Sequence, residues 1–388
     1  MDKRNFLGLM SSALAAALIP SRARAALPAE GRAPRLIATW RSALRLGLQG
    51  EPLEAAGGPT DYVGILEPDW EAGRVIIRQA LVVPDRVHGL LDDGADGFIA
   101  VAFRPGQWLM RVDGAGKIAQ HRSMADEGNR TLDGHALFDP SGQWLFTTET
   151  DRQDSQGWIG VRDRRTLKKE AEWRTHGIEP HQACLDASGK LLVANGGILR
   201  AAGDRKRNLD QMDSSLVRLD PRNGSLLGQW RLPDPRLSLR HLALGTDLAR
   251  NGKPLVGIAI EAEHDDPARR AAAPILAIWD GEELRTPSHV PVGKGYSSDI
   301  VAGHGGGFYL NAEFAGRVVR WLPAAPAELT VIAELERARS LATWQAAAGA
   351  GVLIGALKGI GRWHPTIAPQ FMRWPLEMSV DIHWTPKG

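Results

Sequence analysis

Cysteine is almost missing from this chain. Its 388 residues hold one, Cys184, which excludes an internal disulfide framework and any all-cysteine zinc or iron–sulfur site. Tyrosine is nearly as scarce, at 3 residues against 13 tryptophans and 8 phenylalanines. No charge sign dominates: 47 basic residues face 45 acidic ones, which argues against a dedicated nucleic-acid or anionic-membrane binder. The apolar run from Phe6 to Ile19 is shorter than the roughly 20 residues that a membrane-spanning helix needs. After it, no stretch keeps a 3.6-residue apolar period for three turns, so a helical architecture is excluded. A P-loop and a serine nucleophile elbow are missing too.

Hydrophobic residues, by contrast, make up 43% of the chain, enough for a sizeable core, and a wholly disordered chain is ruled out. Glycine is abundant at 43 residues, with 24 prolines beside it, as expected where many tight turns need positive φ.

The N-terminus reads as an address. Lys3 and Arg4 precede the apolar run, and Pro20 and Ala23-Arg24-Ala25 follow it; this is the layout of a secretory leader with a small-residue cleavage site. The stretch Asp2 to Gly8 resembles a twin-arginine signal with lysine in the first position, and an ordinary secretory signal is the alternative. Cleavage after Ala25 would remove Lys3, Arg4, Arg22 and Arg24 with one acid, Asp2, turning the formal charge of +2 into −1. We therefore expect a leader over residues 1–25, a single domain over 26–388, a periplasmic destination and no stable membrane anchor once the leader is removed.

The mature chain repeats itself. His135 to Glu149 and His181 to Asn195 carry the same phrase: an apolar strand, an Asp-x-Ser-Gly turn and a second apolar strand. His88 to Phe103 and His241 to Ile260 are looser copies. Each phrase reads as a hairpin, and the histidines are 47, 46 and 60 residues apart, near the 40–50 residues of a propeller blade. Third and fourth strands follow, as in Trp158 to Arg162 and in Ser215 to Leu232, so the unit is four antiparallel strands. Copies beginning at Ser298 and Ser340 bring the complete blades to six. Three N-terminal strands around Leu36, Tyr62 and Arg74 lack an innermost partner, and Val380 to Trp384 reads as that partner. The predicted fold is therefore all-β: a seven-bladed propeller closed by pairing of its terminal strands, which leaves no sheet edge exposed.

Five histidines, His88, His135, His181, His241 and His383, stand near the head of a predicted innermost strand, while Ser298-Asp299 and Ser340 fill the other two slots. The rotational repeat brings such positions to one axis, and clustered imidazoles suit iron, copper or zinc. A polar ligand funnel and a purely structural role for a repeated histidine are the other readings. The spacing to the turn differs by one residue between His135 and His181, which under strict alternation would point them oppositely unless a bulge intervenes. Secondary candidates are His176, placed to stand beside His181, the slot residue Asp299, and Glu149 and Asn195 at matching ends of second strands. For Glu149 and Asn195, blade bracing is the competing role. His121, His264, His289, His304 and His364 follow no repeat and are expected at the surface. The tryptophans are expected to pack between blades, and the basic run Arg200 to Arg207 to form a solvated loop.

The motifs at Gly134 to Phe138, Thr147 to Asp151, His176 to His181, Val193 to Gly197 and Leu239 to Ala243 resemble those of the DUF1513 family of exported bacterial proteins. The ending Asp381-Ile382-His383 is similar to that family's Asp-Asn-His, with Ile382 in place of asparagine. The resemblance implies a periplasmic propeller-like domain, and it implies partners among periplasmic iron-uptake or haem redox proteins; no reaction comes with it. The expected function is metal or haem-iron handling at a histidine-lined axial site, linked to iron acquisition. A lactonase-type hydrolase, a metal-dependent redox enzyme and a protein-docking scaffold are the alternatives. If export uses the twin-arginine route, Arg4→Lys should leave unprocessed precursor in the cytoplasm on fractionation; normal export of that variant would assign the general secretory route.

Overall fold

The computed structural model describes residues 34–201, 204–287 and 292–388; the expected leader and His289 lie outside them. Turn chemistry builds the repeated hairpins. Asp186 Oδ1 accepts the backbone N–H groups of Ser188 and Lys190 at 2.8 and 3.0 Å, and Gly189 closes the turn at φ +74. Asp139 does the same for Ser141 and Trp144, with Gly142 at φ +70. Aspartate holding its own turn and glycine taking the left-handed position are what the repeated phrase encodes.

These hairpins extend into seven four-stranded antiparallel sheets arranged as a propeller. Blade one begins at Val87–Asp92, blade two at Arg130–Phe138, blade three at Pro180–Leu185 and blade four at Leu237–Asp247. Ile300–Ala302 opens blade five and Ser340–Ala346 blade six. Blade seven takes Arg35–Leu46, Pro52–Asp69 and Arg74–Val82 from the N-terminus. Among the described residues one α-helix occurs, Pro267–Ala272, and no helix is long and apolar enough to cross a membrane.

Alternating strand residues pack against the neighbouring blade, so the apolar core lies in the seams between blades. Ile37 and Val63 of blade seven cluster with Val87, Phe98 and Met110 of blade one. Trp40 and Tyr62 cluster with Trp344 and Leu353 of blade six. Tryptophans fill these seams, as expected. Because the seams carry the apolar burial, the axis is free to hold polar groups.

The C-terminus closes the ring. Trp40 pairs with Val380 and Ile37 with Thr385, so Met378–Val380 and Thr385–Lys387 together form the innermost strand of blade seven. The continuous strand expected from Val380 to Trp384 is in fact interrupted. Residues 381–384 bow out of the ladder, with His383 at φ +69, while the Asp381 N–H still donates to the Thr39 carbonyl at 3.0 Å. Thr385 then ties the segment to blade one through the Leu90 carbonyl, at 2.8 Å. The basic run also differs from expectation. Leu199–Ala201 and Arg205–Arg207 pair as a small hairpin, and Arg200 turns inward onto Glu179.

Trp384, 5% exposed in the seam between blades six and seven, meets Trp374 edge-on at 6.1 Å. Trp384→Ala should cost about 3–5 kcal/mol in urea unfolding. Phe371→Ala, at a side chain 46% exposed, should stay within about 0.5 kcal/mol.

Candidate metal centre

Each repeated histidine occupies a break in its strand's pairing. In blade one Val87 pairs with Ala102 and Gly89 with Val101, leaving His88 opposite nothing. Blade three skips His181 in the same way, between Pro180 and Gln182. Blade four skips Arg240 and His241, and blade two skips Asp133, Gly134 and His135. A bulge of this kind bends the strand and re-aims the unpaired side chain. The one-residue difference in spacing between His135 and His181 therefore loses its consequence, because neither side chain obeys the alternation of the ladder beyond it. His383 reaches the same place from the bowed segment 381–384. Gly134, at φ +101, is required: a Cβ there would come within 2.7 Å of the His88 ring.

All five imidazoles meet. His181 Nε2 lies 2.8 Å from His241 Nε2, and His241 Nε2 lies 2.9 Å from His383 Nε2. His88, His135, His181 and His241 each present a nitrogen within 4.8 Å of the others. The His88 ring centre is 4.6 Å from that of His135 and 4.8 Å from that of His383; the His135 and His241 centres are 5.2 Å apart. His88, His135, His181 and His241 are at most 6% exposed. Both nitrogens of His88, Nε2 of His135 and Nδ1 of His241 are buried without a hydrogen-bond partner.

Burial pushes the pKa values of His88, His135, His181 and His241 well below the usual histidine value, and the neighbouring histidines and arginines push them further. The four rings are thus neutral at pH 7, the form that binds metals. Asp299, a candidate ligand, instead holds His383 in place: its Oδ1 faces His383 Nδ1 at 3.0 Å, while Oδ2 accepts the Leu341 N–H at 2.8 Å. A carboxylate on Nδ1 leaves Nε2 to the centre, the usual support for a ligating imidazole.

The other secondary candidates lie elsewhere. His176 is exposed at φ +53 on an outer strand of blade two and does not join His181. Glu149 is buried between Arg162, at 2.7 Å, and Lys169, at 2.9 Å. Asn195 donates to the Thr175 carbonyl and to Ser215. Glu149 and Asn195 thus brace blades, the competing role, and do not join the histidines. Of the histidines expected at the surface, His121 is exposed, but His264 and His364 are buried, at 4% and 3%. His264 pairs with Asp234 at 2.9 Å, and His364 accepts the Thr366 N–H at 3.1 Å; the other nitrogen of each ring is buried without a partner.

Sequence reading missed the charged shell beside the centre. Arg104, Arg200 and Arg240 all donate to Glu179 Oε1, and Arg104 reaches His181 Nδ1 at 3.3 Å. Burial alone would raise the Glu179 pKa, but Arg240, Arg200 and Arg104 outweigh it and hold it at about 2. Asp133, buried and held by Thr150, is pushed up to about 8. The available signal was position: Asp133, Glu179 and Arg240 each stand within two residues of a repeated histidine.

A family described as "Protein of unknown function (DUF1513)" matches residues 81–384. No curated protein matches the chain in sequence. Several solved structures share its architecture. A streptogramin B lyase aligns at 12% identity over 76% of this chain and 86% of its own, with a TM-score of 0.54. The virginiamycin B lyase of Staphylococcus aureus aligns at 12% identity over 75% and 85%, with a TM-score of 0.53. The hydrazine synthase of Kuenenia stuttgartiensis aligns at 10% identity over 92% and 99%, also at 0.53. At such identities the likeness is one of fold.

The buried imidazoles set a pH dependence. Their folded pKa values lie below the unfolded value of about 6.5, so below that pH the unfolded chain takes up protons that the folded chain refuses. Stability is therefore intact above about pH 6.5 and falls as the pH drops, by up to about 1.4 kcal/mol per pH unit for each such group. Urea midpoints of metal-free protein should decline between pH 7.5 and 5.5; a flat profile would contradict the neutral cluster.

Proposed function

The chain belongs to the DUF1513 family, and we propose that it is a metal-binding propeller whose five axial histidines hold one transition-metal ion: iron, copper or zinc. The unpartnered buried nitrogens carry this reading. Each polar group left unsatisfied in a protein interior costs about 1–3 kcal/mol, and here they occur on three adjoining rings, His88, His135 and His241. Each ring gives one nitrogen to one ion, so an ion bound at the centre would satisfy one nitrogen of His88 and Nε2 of His135, while His241 would bind through the Nε2 that faces His181 and His383.

The spacing supports the same reading. Nitrogens each about 2.0–2.1 Å from one ion and at right angles lie about 2.9 Å apart; the Nε2 pairs of His181 with His241 and of His241 with His383 lie at 2.8 and 2.9 Å. An all-imidazole donor set suits borderline transition metals and not calcium or magnesium, which take oxygen ligands. The rings pack too closely, with centres 4.2 Å apart for His241 and His383, to admit the plane of a haem between them. We therefore read the site as one for a bare ion. Five nitrogens around it leave at most one octahedral position for water or a small ligand, which favours binding or redox chemistry over hydrolysis.

With the expected export leader, we read the protein as a periplasmic metal-handling component whose partners are iron-uptake or haem redox proteins. The test is metal analysis of protein purified from its native compartment. Wild type should carry about one equivalent of a transition metal, and the double variant His135→Ala/His181→Ala should carry none while keeping its β circular-dichroism spectrum. His121→Ala should match wild type. Full metal content in the double variant would leave the cluster a structural one.

A further inference from the structure

A cavity of about 200 Å³ opens where blade seven meets blade one, lined by Thr39, Arg41, Asp61, Arg86, Arg339 and Asp381 among others. Its donors outnumber its acceptors. Arg41 spends Nε and one terminal nitrogen on Asp61, at 3.0 and 2.8 Å. Arg86 does the same with Asp381 while its guanidinium lies 4.0 Å over the Phe103 ring. Arg339 uses only Nε, on Glu313 at 2.6 Å. Among the described residues, this leaves one terminal nitrogen each of Arg41 and Arg86, and both of Arg339, without a protein acceptor.

Thr39 adds a buried donor. It is 3% exposed, its hydroxyl has no partner, and strand alternation puts its side chain on the face of Ile37 and Arg41, toward blade one. The carboxylates in the lining, Asp61 and Asp381, are already engaged in two-pronged pairs. The missing partner is therefore an acceptor, and planar forks of guanidinium nitrogens match the paired oxygens of a carboxylate. The volume falls below the roughly 300–1,000 Å³ of sites for drug-sized ligands.

We propose that this cavity is a binding site for a small carboxylic acid, its carboxylate held by Arg339, Arg86 and the Thr39 hydroxyl. The wall is continuous with the histidine centre: Asp381 lies two residues before His383, and Val87, also in the lining, directly precedes His88. A carboxylate seated here stands beside the axis, placed to accompany an ion into the centre or to act as a substrate next to it. The site itself stands independently of the metal reading.

The probe is malonate, titrated calorimetrically into purified protein. We expect saturable one-to-one binding, weakened about tenfold or more by Arg339→Gln, the loss of a charge-assisted hydrogen bond, and weakened measurably by Thr39→Val, which keeps the side-chain shape. Both variants should melt as wild type does and keep its metal content. Malonate should also bind the double variant His135→Ala/His181→Ala, which separates this site from the metal centre. No saturable heat at millimolar malonate, equal affinity in Arg339→Gln, or binding of inorganic phosphate in place of malonate would each overturn the assignment.

Discussion

Strict alternation along an inner strand would turn every second side chain into a seam between blades, where apolar packing is what stabilises the propeller. The breaks in pairing at His88, His135, His181 and His241 release those four side chains from that rule and send them to the axis. Everything else in the site depends on this. Gly134 can face His88 only without a Cβ. The Thr148 hydroxyl, opposite the blade-two bulge, bonds the His181 carbonyl at 3.1 Å and holds two adjacent bulges together.

Placing imidazoles in a dry interior has an electrostatic cost, and the surrounding charges keep the rings neutral and oriented. Arg104, Arg200 and Arg240 gather on Glu179, with Asp204 and Glu261 as further partners, so the guanidinium charges beside His181 are partly offset. Asp299 orients His383 from the opposite side.

One segment links closure, site and cavity. Residues 378–387 complete blade seven and bond to blade one. The interruption in their pairing supplies the fifth histidine, and Asp381 within it anchors Arg86 in the cavity between blades seven and one. The same ten residues therefore close the ring and bring His383 to the axis.

The repeated Asp-x-Ser-Gly turns, the apolar pairs of strands around them and the orphaned N-terminal strands were enough to determine seven blades and their mode of closure, because turn chemistry and alternation act over a few neighbouring residues. The five histidines were legible for the same reason: they recur at one position of a local repeat. Tertiary structure alone decided which of their companions matter. Asp299 orients His383 because it faces a residue 84 positions away. Glu149 and Asn195, which hold matching places in the repeat, spend their polar atoms inside blades, and His264 and His364 are buried by contacts that no period announces. The bulges belong to this second class as well. A single extra residue in a strand costs little and leaves almost no mark on composition or spacing, yet it decides whether a side chain points into a seam or onto the axis.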